Sequence, residues 1–127
     1  MLTEARKRLL DSKINFVKRI GDVIKAPLYQ RGDEKVSVIP QIERIEYIVH
    51  VHKKHEWDEE HLVVTYQGGA QAVRNCTGTS CVGILAEIAK LMNGGYYDEV
   101  EHFIHLMTSD EWAVYEPAPN TEEASAI

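Results

Sequence analysis

A chain of 127 residues with 44% apolar and 27% charged side chains is one domain, large enough to bury a core and too small for two. The net charge of −6 excludes a general grip on DNA or RNA, which calls for a basic face. No apolar run approaches the ~18 residues of a membrane span, and no signal-peptide core is present, so a cytoplasmic protein is expected.

The apolar residues Leu9, Leu10, Ile14, Val17, Ile20 and Ile24 recur at helical spacing and predict a helix over residues 3–24. Thr3 serves as its N-cap, and Ala26-Pro27 ends it. Arg6, Lys7, Arg8, Lys18, Arg19 and Lys25 read as its wet side. Residues 36–39 alternate before Pro40 and suit an edge strand. In the stronger strand over 42–51, Ile45, Tyr47, Val49 and Val51 point one way, while Arg44, Glu46, Ile48, His50 and His52 point the other.

Residues 53–60 read as a polar turn, with Glu56, Asp58, Glu59 and Glu60 solvated around Trp57, a contact anchor if it is exposed. Strands over 62–66 and 70–76 follow, reversed at Gly68-Gly69. A helix over 80–92 presents Ile84, Leu85, Ile88, Leu91 and Met92, and Asn93-Gly94-Gly95 stops it. A last helix over 96–107 presents Tyr97, Val100, Phe103, Ile104 and Met107, with His102 and His105 on its hydrated side. Residues 112–115 predict a small strand or strap.

The expected fold is α+β: an N-terminal helix, a three- to four-stranded antiparallel meander, and two C-terminal helices packed on one face of that sheet. The domain spans residues 1–116, and 117–127 form a flexible tail. Wide apolar faces point to a homodimer or higher homo-oligomer.

The stretch Arg74-Asn75-Cys76-Thr77-Gly78-Thr79-Ser80-Cys81 carries the first candidate site. It lies where strand gives way to helix, and bare amides at a helix start attract anions. Thr77, Thr79 and Ser80 offer hydroxyls, Gly78 permits positive φ, and Arg74 supplies a planar fork. Asn75 can read a ribose or base edge, and Tyr66 can stack on a nucleobase. The same residues cap a helix that binds nothing, and the spacing matches neither the P-loop nor the dinucleotide pattern.

A second candidate joins His50, His52, His55 and His61 with Cys76 and Cys81 in a drawn zinc site; histidines decorating a hairpin are the alternative. Cys76 and Cys81 are otherwise expected as structural, reduced thiols, although Cys81 falls in a first helical turn, where a thiol is activated. No catalytic residue, metal ligand or cofactor is assigned.

The stretch from Tyr66 to Ser80, an aromatic before a glycine turn and then an asparagine that opens a helix, resembles the phage-encoded nucleotide sponges that defeat Thoeris immunity. The resemblance implies an antiparallel sheet with two C-terminal helices, dimers that assemble further, and sequestration of cyclic ADP-ribose isomers or cyclic dinucleotides without cleavage. It implies adenine stacking by Tyr66 and a ligand bond from Asn75. That family also uses an arginine near its second helix; this chain has none after Arg74, which leaves Arg74 or Lys90 for the phosphate.

The expected function is non-enzymatic sequestration of a small phosphorylated nucleotide signal in the cytoplasm of a phage's host, with no nucleic-acid polymer and no membrane as partner. The rivals are an acidic module that inhibits a host protein, and a metal-dependent enzyme built on the histidines.

Overall fold

The computed structural model describes residues 2–23, 42–92 and 99–118, together with the backbone of 30–31 and 34–35. The chain runs α1 (Glu4–Val23), β1 (Gln30–Arg31), β2 (Glu34–Lys35), β3 (Ile42–His52), β4 (Asp58–Tyr66), β5 (Gln71–Asn75), α2 (Cys81–Met92), α3 (Val100–Thr108) and β6 (Trp112–Val114). β1 and β2 form a two-stranded ribbon; the other strands form an antiparallel sheet in the order β5-β4-β3-β6. The α+β architecture follows the sequence pattern. The predictions made for residues 24–29, 36–41, 93–98 and 119–127 lie outside the described residues.

Thr3 caps α1 as expected: its Oγ1 accepts the Arg6 amide at 3.1 Å. The buried stripe of α1 is Leu10, Asp11, Lys13, Val17 and Gly21, and Leu9 is left exposed. Gly21 permits the close approach to β3, since a Cβ there would stand 3.2 Å from the Ile45 carbonyl oxygen. Arg6, expected on the wet side, instead turns toward the sheet and donates to Asp58 and Glu60.

Side chains alternate along the strands, so the sheet has two distinct faces. On one, Ile45, Tyr47, Val49, Leu62, Val64, Tyr66 and Ala72 pack with Leu10 and Val17 of α1 and Ile84, Ile88 and Leu91 of α2. On the other, Val63 and Val73 pack with Phe103 of α3, flanked by Ile48 and Val100. The two C-terminal helices therefore do not share a face. The run Leu62-Val63-Val64 is apolar on both sides of the strand, which requires cover on both.

The face of α3 is also revised: Phe103 and Leu106 are buried, while Ile104 and Met107 are about half exposed. Spacing alone allowed either stripe, because Val100, Phe103 and Leu106 recur every three residues. The expected strap is a strand, β6, which pairs with the end of β3 through His50↔Val114 and His52↔Trp112.

Residues 58–60, expected within a solvated turn, are the first three of β4. The acidic residues conceal a strand start because the cations that neutralise Asp58 and Glu60, Arg6 and Lys13, come from α1. Trp57 itself is exposed and stacks on His55.

Candidate metal centre

Glu59 and Glu60 are neighbours on β4, so alternation sends their carboxylates to opposite faces. Glu60 enters the α1 side and is fully buried. Its carboxylate accepts from Lys13 Nζ at 2.8 Å, Tyr47 Oη at 2.9 Å, the Gly78 amide at 3.1 Å and Arg6. Burial alone would raise the Glu60 carboxyl pKa, but the hydrogen bonds from Lys13, Gly78 and Tyr47 outweigh it, and the net shift is downward. Burial and the Glu60 charge push the Tyr47 phenol well above its ordinary range.

This network determines where the loop residues of the first candidate site fall. The Gly78 amide, at φ +77°, is occupied by Glu60. The Thr77 amide and hydroxyl both donate to Asn75 Oδ1, and Thr77 Oγ1 accepts the Glu60 amide at 3.0 Å. The Thr79 amide donates to the Cys76 carbonyl, and Ser80 caps α2 by accepting the Gly83 amide at 3.3 Å. Arg74 pairs with Glu87 at 3.3 Å. Tyr66 lies in the core with its hydroxyl on the Leu91 carbonyl at 3.1 Å, so its ring faces side chains of the same chain. The Thr77, Gly78 and Thr79 amides are thus engaged within the chain, and the Glu60 carboxylate is the anion that the loop holds ahead of α2.

Glu59 faces α3. Its Oε2 lies 3.9 Å from His61 Nε2 and 3.9 Å from His102 Nε2, and one donor atom from each of the three residues falls within 4.8 Å of the others. Asn75 Nδ2 donates to Glu59 Oε2 at 2.7 Å and steadies that carboxylate. The Asn75 amide in turn donates to Glu99, just ahead of α3. Asn75, expected to touch a ligand directly, here orients a side chain that can.

Beneath this edge lie two imidazoles from β3 and β4. His50 and His61 are both fully buried, with ring centroids 5.5 Å apart, and each packs edge-on against Phe103. None of their four ring nitrogens has a hydrogen-bond partner among the described residues. Burial and the neighbouring His50 and His102 push the His61 pKa down from 6.5 to about 4, and burial lowers His50 as well. Both rings are therefore neutral at pH 7, the state in which an imidazole offers a lone pair.

The zinc set drawn from the sequence is only partly assembled. His50 and His61 come together, but His52 Nδ1 accepts the Lys54 and His55 amides, and its ring packs with His55, Trp57 and Trp112. Cys76 belongs to the core on the opposite face, where burial and then Glu87 push its thiol up to about 11. Cys81 is half-buried at the start of α2. His102, expected on a hydrated surface, is half exposed and yet reaches the cluster. No periodicity marks that contact, because it depends on which sheet face α3 covers.

In three comparisons with known proteins, no family model, no curated protein and no solved structure matches this chain. Among the described residues no helix is long and apolar enough to cross a membrane.

Proposed function

We propose that this chain binds a divalent transition metal through Glu59, His61 and His102. The observation that carries the reading is the pairing of a convergent Glu-His-His donor set with a fully buried His61 that has no other partner. Two imidazoles and a carboxylate suit zinc, cobalt, nickel or ferrous iron. Donors around a tetrahedral zinc stand roughly 3.4 Å apart, from metal–ligand lengths near 2.0–2.1 Å. Both imidazoles stand 3.9 Å from Glu59 Oε2 and all three donors lie within 4.8 Å, so the set has to close, and His102 is half exposed with room to move. Three protein donors leave at least one coordination position for water or a small ligand, the arrangement of exchangeable rather than closed sites.

Support is uneven around the ion. Asn75 holds Glu59, but His61 Nδ1 lacks the acceptor that usually orients a ligating imidazole. Such an omission costs about 10- to 100-fold in affinity, so a weaker site than a fully braced one is expected.

Calorimetric titration of the metal-free chain with Zn²⁺ or Co²⁺ tests the proposal. One equivalent should bind, and cobalt should develop a visible d–d spectrum. His102→Ala and Glu59→Gln should each weaken binding at least about tenfold, with His55→Ala as an unaffected control. Absence of saturable binding, or binding indifferent to both variants, overturns it. Nucleotide sequestration at Tyr66–Ser80 is less favoured, since Tyr66 is buried and the Thr77 and Gly78 amides bond within the chain.

A further inference from the structure

The donor set spans two elements that little else joins. Glu59 and His61 belong to β4, and His102 belongs to α3. α3 has nine residues, too short to hold helical form without tertiary contacts. Its N-cap residue, Glu99, makes no side-chain cap bond; that carboxylate goes to the Asn75 amide instead. Against the sheet the helix buries Leu106 and contributes Phe103 to a cluster whose other buried members among the described residues are Val63 and Val73, with Ile48 and Val100 at its edge. On the opposite face the cluster has fourteen buried members among the described residues.

What α3 covers is also unfavourable in part. Seating Phe103 withdraws His50 and His61 from water and gives their ring nitrogens no hydrogen-bond partner among the described residues. Each buried polar group left unpartnered opposes burial by an amount comparable with a core contact. Docking of α3 thus sets a small apolar cluster, Leu106 and the Asn75–Glu99 bond against two imidazoles deprived of solvent.

We infer that metal binding at Glu59, His61 and His102 clamps α3 onto the sheet, so that the docked state of this helix is set by metal. The inference rests on the reading of the site given above. An ion there supplies the missing partner of His61 and links helix to strand through His102, which favours only the docked arrangement. A ligand shifts an equilibrium by its differential affinity for the two states, and undocking α3 removes one of three donors. The amphipathic surface under α3, with Val63, Val73 and the histidines, would then be presented or covered according to metal supply.

Hydrogen exchange by mass spectrometry on the full chain, metal-free and zinc-loaded, tests this, with binding measured by calorimetry on the same samples. At free zinc ten times the dissociation constant, exchange of residues 100–108 should slow about tenfold. Peptides from α1, on the opposite face, should change much less. In His102→Ala, whose half-exposed side chain can be removed without a core cavity, zinc should leave α3 exchange at its metal-free rate. Stoichiometric zinc with unchanged α3 exchange, or equal protection in His102→Ala, overturns the clamp while the site stands. Failure to bind zinc at all removes both.

Discussion

The Lys13 ammonium and the Glu60 carboxylate stand 2.8 Å apart, with both side chains almost wholly withdrawn from solvent. One comes from the middle of α1 and the other from the start of β4, so the pair joins the N-terminal helix to the sheet. A buried pair adds little net stability, but deleting Lys13 leaves the buried Glu60 charge to Arg6, whose side chain is partly exposed. Lys13→Met should therefore destabilise the domain by up to about 3 kcal/mol, read from urea denaturation. Glu60→Gln on top of it should recover part of that loss, because the stranded charge is gone. A single variant within about 0.5 kcal/mol of the parent would show that the two groups are hydrated in solution.

Stability should also depend on pH in a specific window. His50 and His61 have folded pKa values below their ordinary 6.5, with His61 near 4. Between those values the unfolded chain binds more protons than the folded one, so stability falls as pH falls. For His61 the loss from above pH 6.5 to below pH 4 is about 3 kcal/mol, and His50 adds to it in the same direction. Glu60, held below its ordinary value, contributes a further loss when it protonates at the acid end. Denaturation of the metal-free chain from pH 8 to 4 should show this decline; a flat profile would mean that the imidazoles are solvated.

The architecture was largely legible from periodicity: α1, the meander, α2 and the final strand stand near where apolar spacing places them. The failures share one cause. Asp58, Glu59 and Glu60 look like a loop because local polarity carries no record of Lys13 and Arg6, roughly fifty residues away in the chain. The helix-start loop reads as open to anions because hydroxyls and glycines announce free amides, while the acceptor of the Gly78 amide, Glu60, lies on another strand. His102 looked like surface because its relation to His61 depends on which sheet face α3 covers. Nothing along one strand specifies that choice, since β4 is apolar on both sides.

His50 offers a test that separates metal chemistry from packing. It lies beside the Glu59–His61–His102 set without belonging to it, and its two nitrogens have no partner among the described residues. Replacing an unpartnered buried polar group by an apolar one of similar size removes a desolvation cost. His50→Leu should thus stabilise the metal-free domain by about 1 kcal/mol and change zinc affinity by less than about threefold. Destabilisation would show that His50 has a partner in solution, and a large drop in zinc affinity would make it a fourth ligand.

Tyr66 separates the two readings of the strand-to-helix loop. Were its ring a platform for a nucleobase, Tyr66→Phe would preserve the stacking surface and leave the fold indifferent to the lost hydroxyl. In the structure the hydroxyl instead ties β4 to the end of α2 through the Leu91 carbonyl, inside the core. Losing that hydrogen bond should cost about 1 kcal/mol in urea denaturation. An incoming phosphate would also have to displace Glu60 from the Gly78 amide, against Lys13, Tyr47 and Arg6, which hold that carboxylate in place. Calorimetry with cyclic ADP-ribose isomers and cyclic dinucleotides should accordingly give only heats of dilution. Saturable heat, combined with an unaltered stability of Tyr66→Phe, would require the loop to open in solution and would restore it as the binding site.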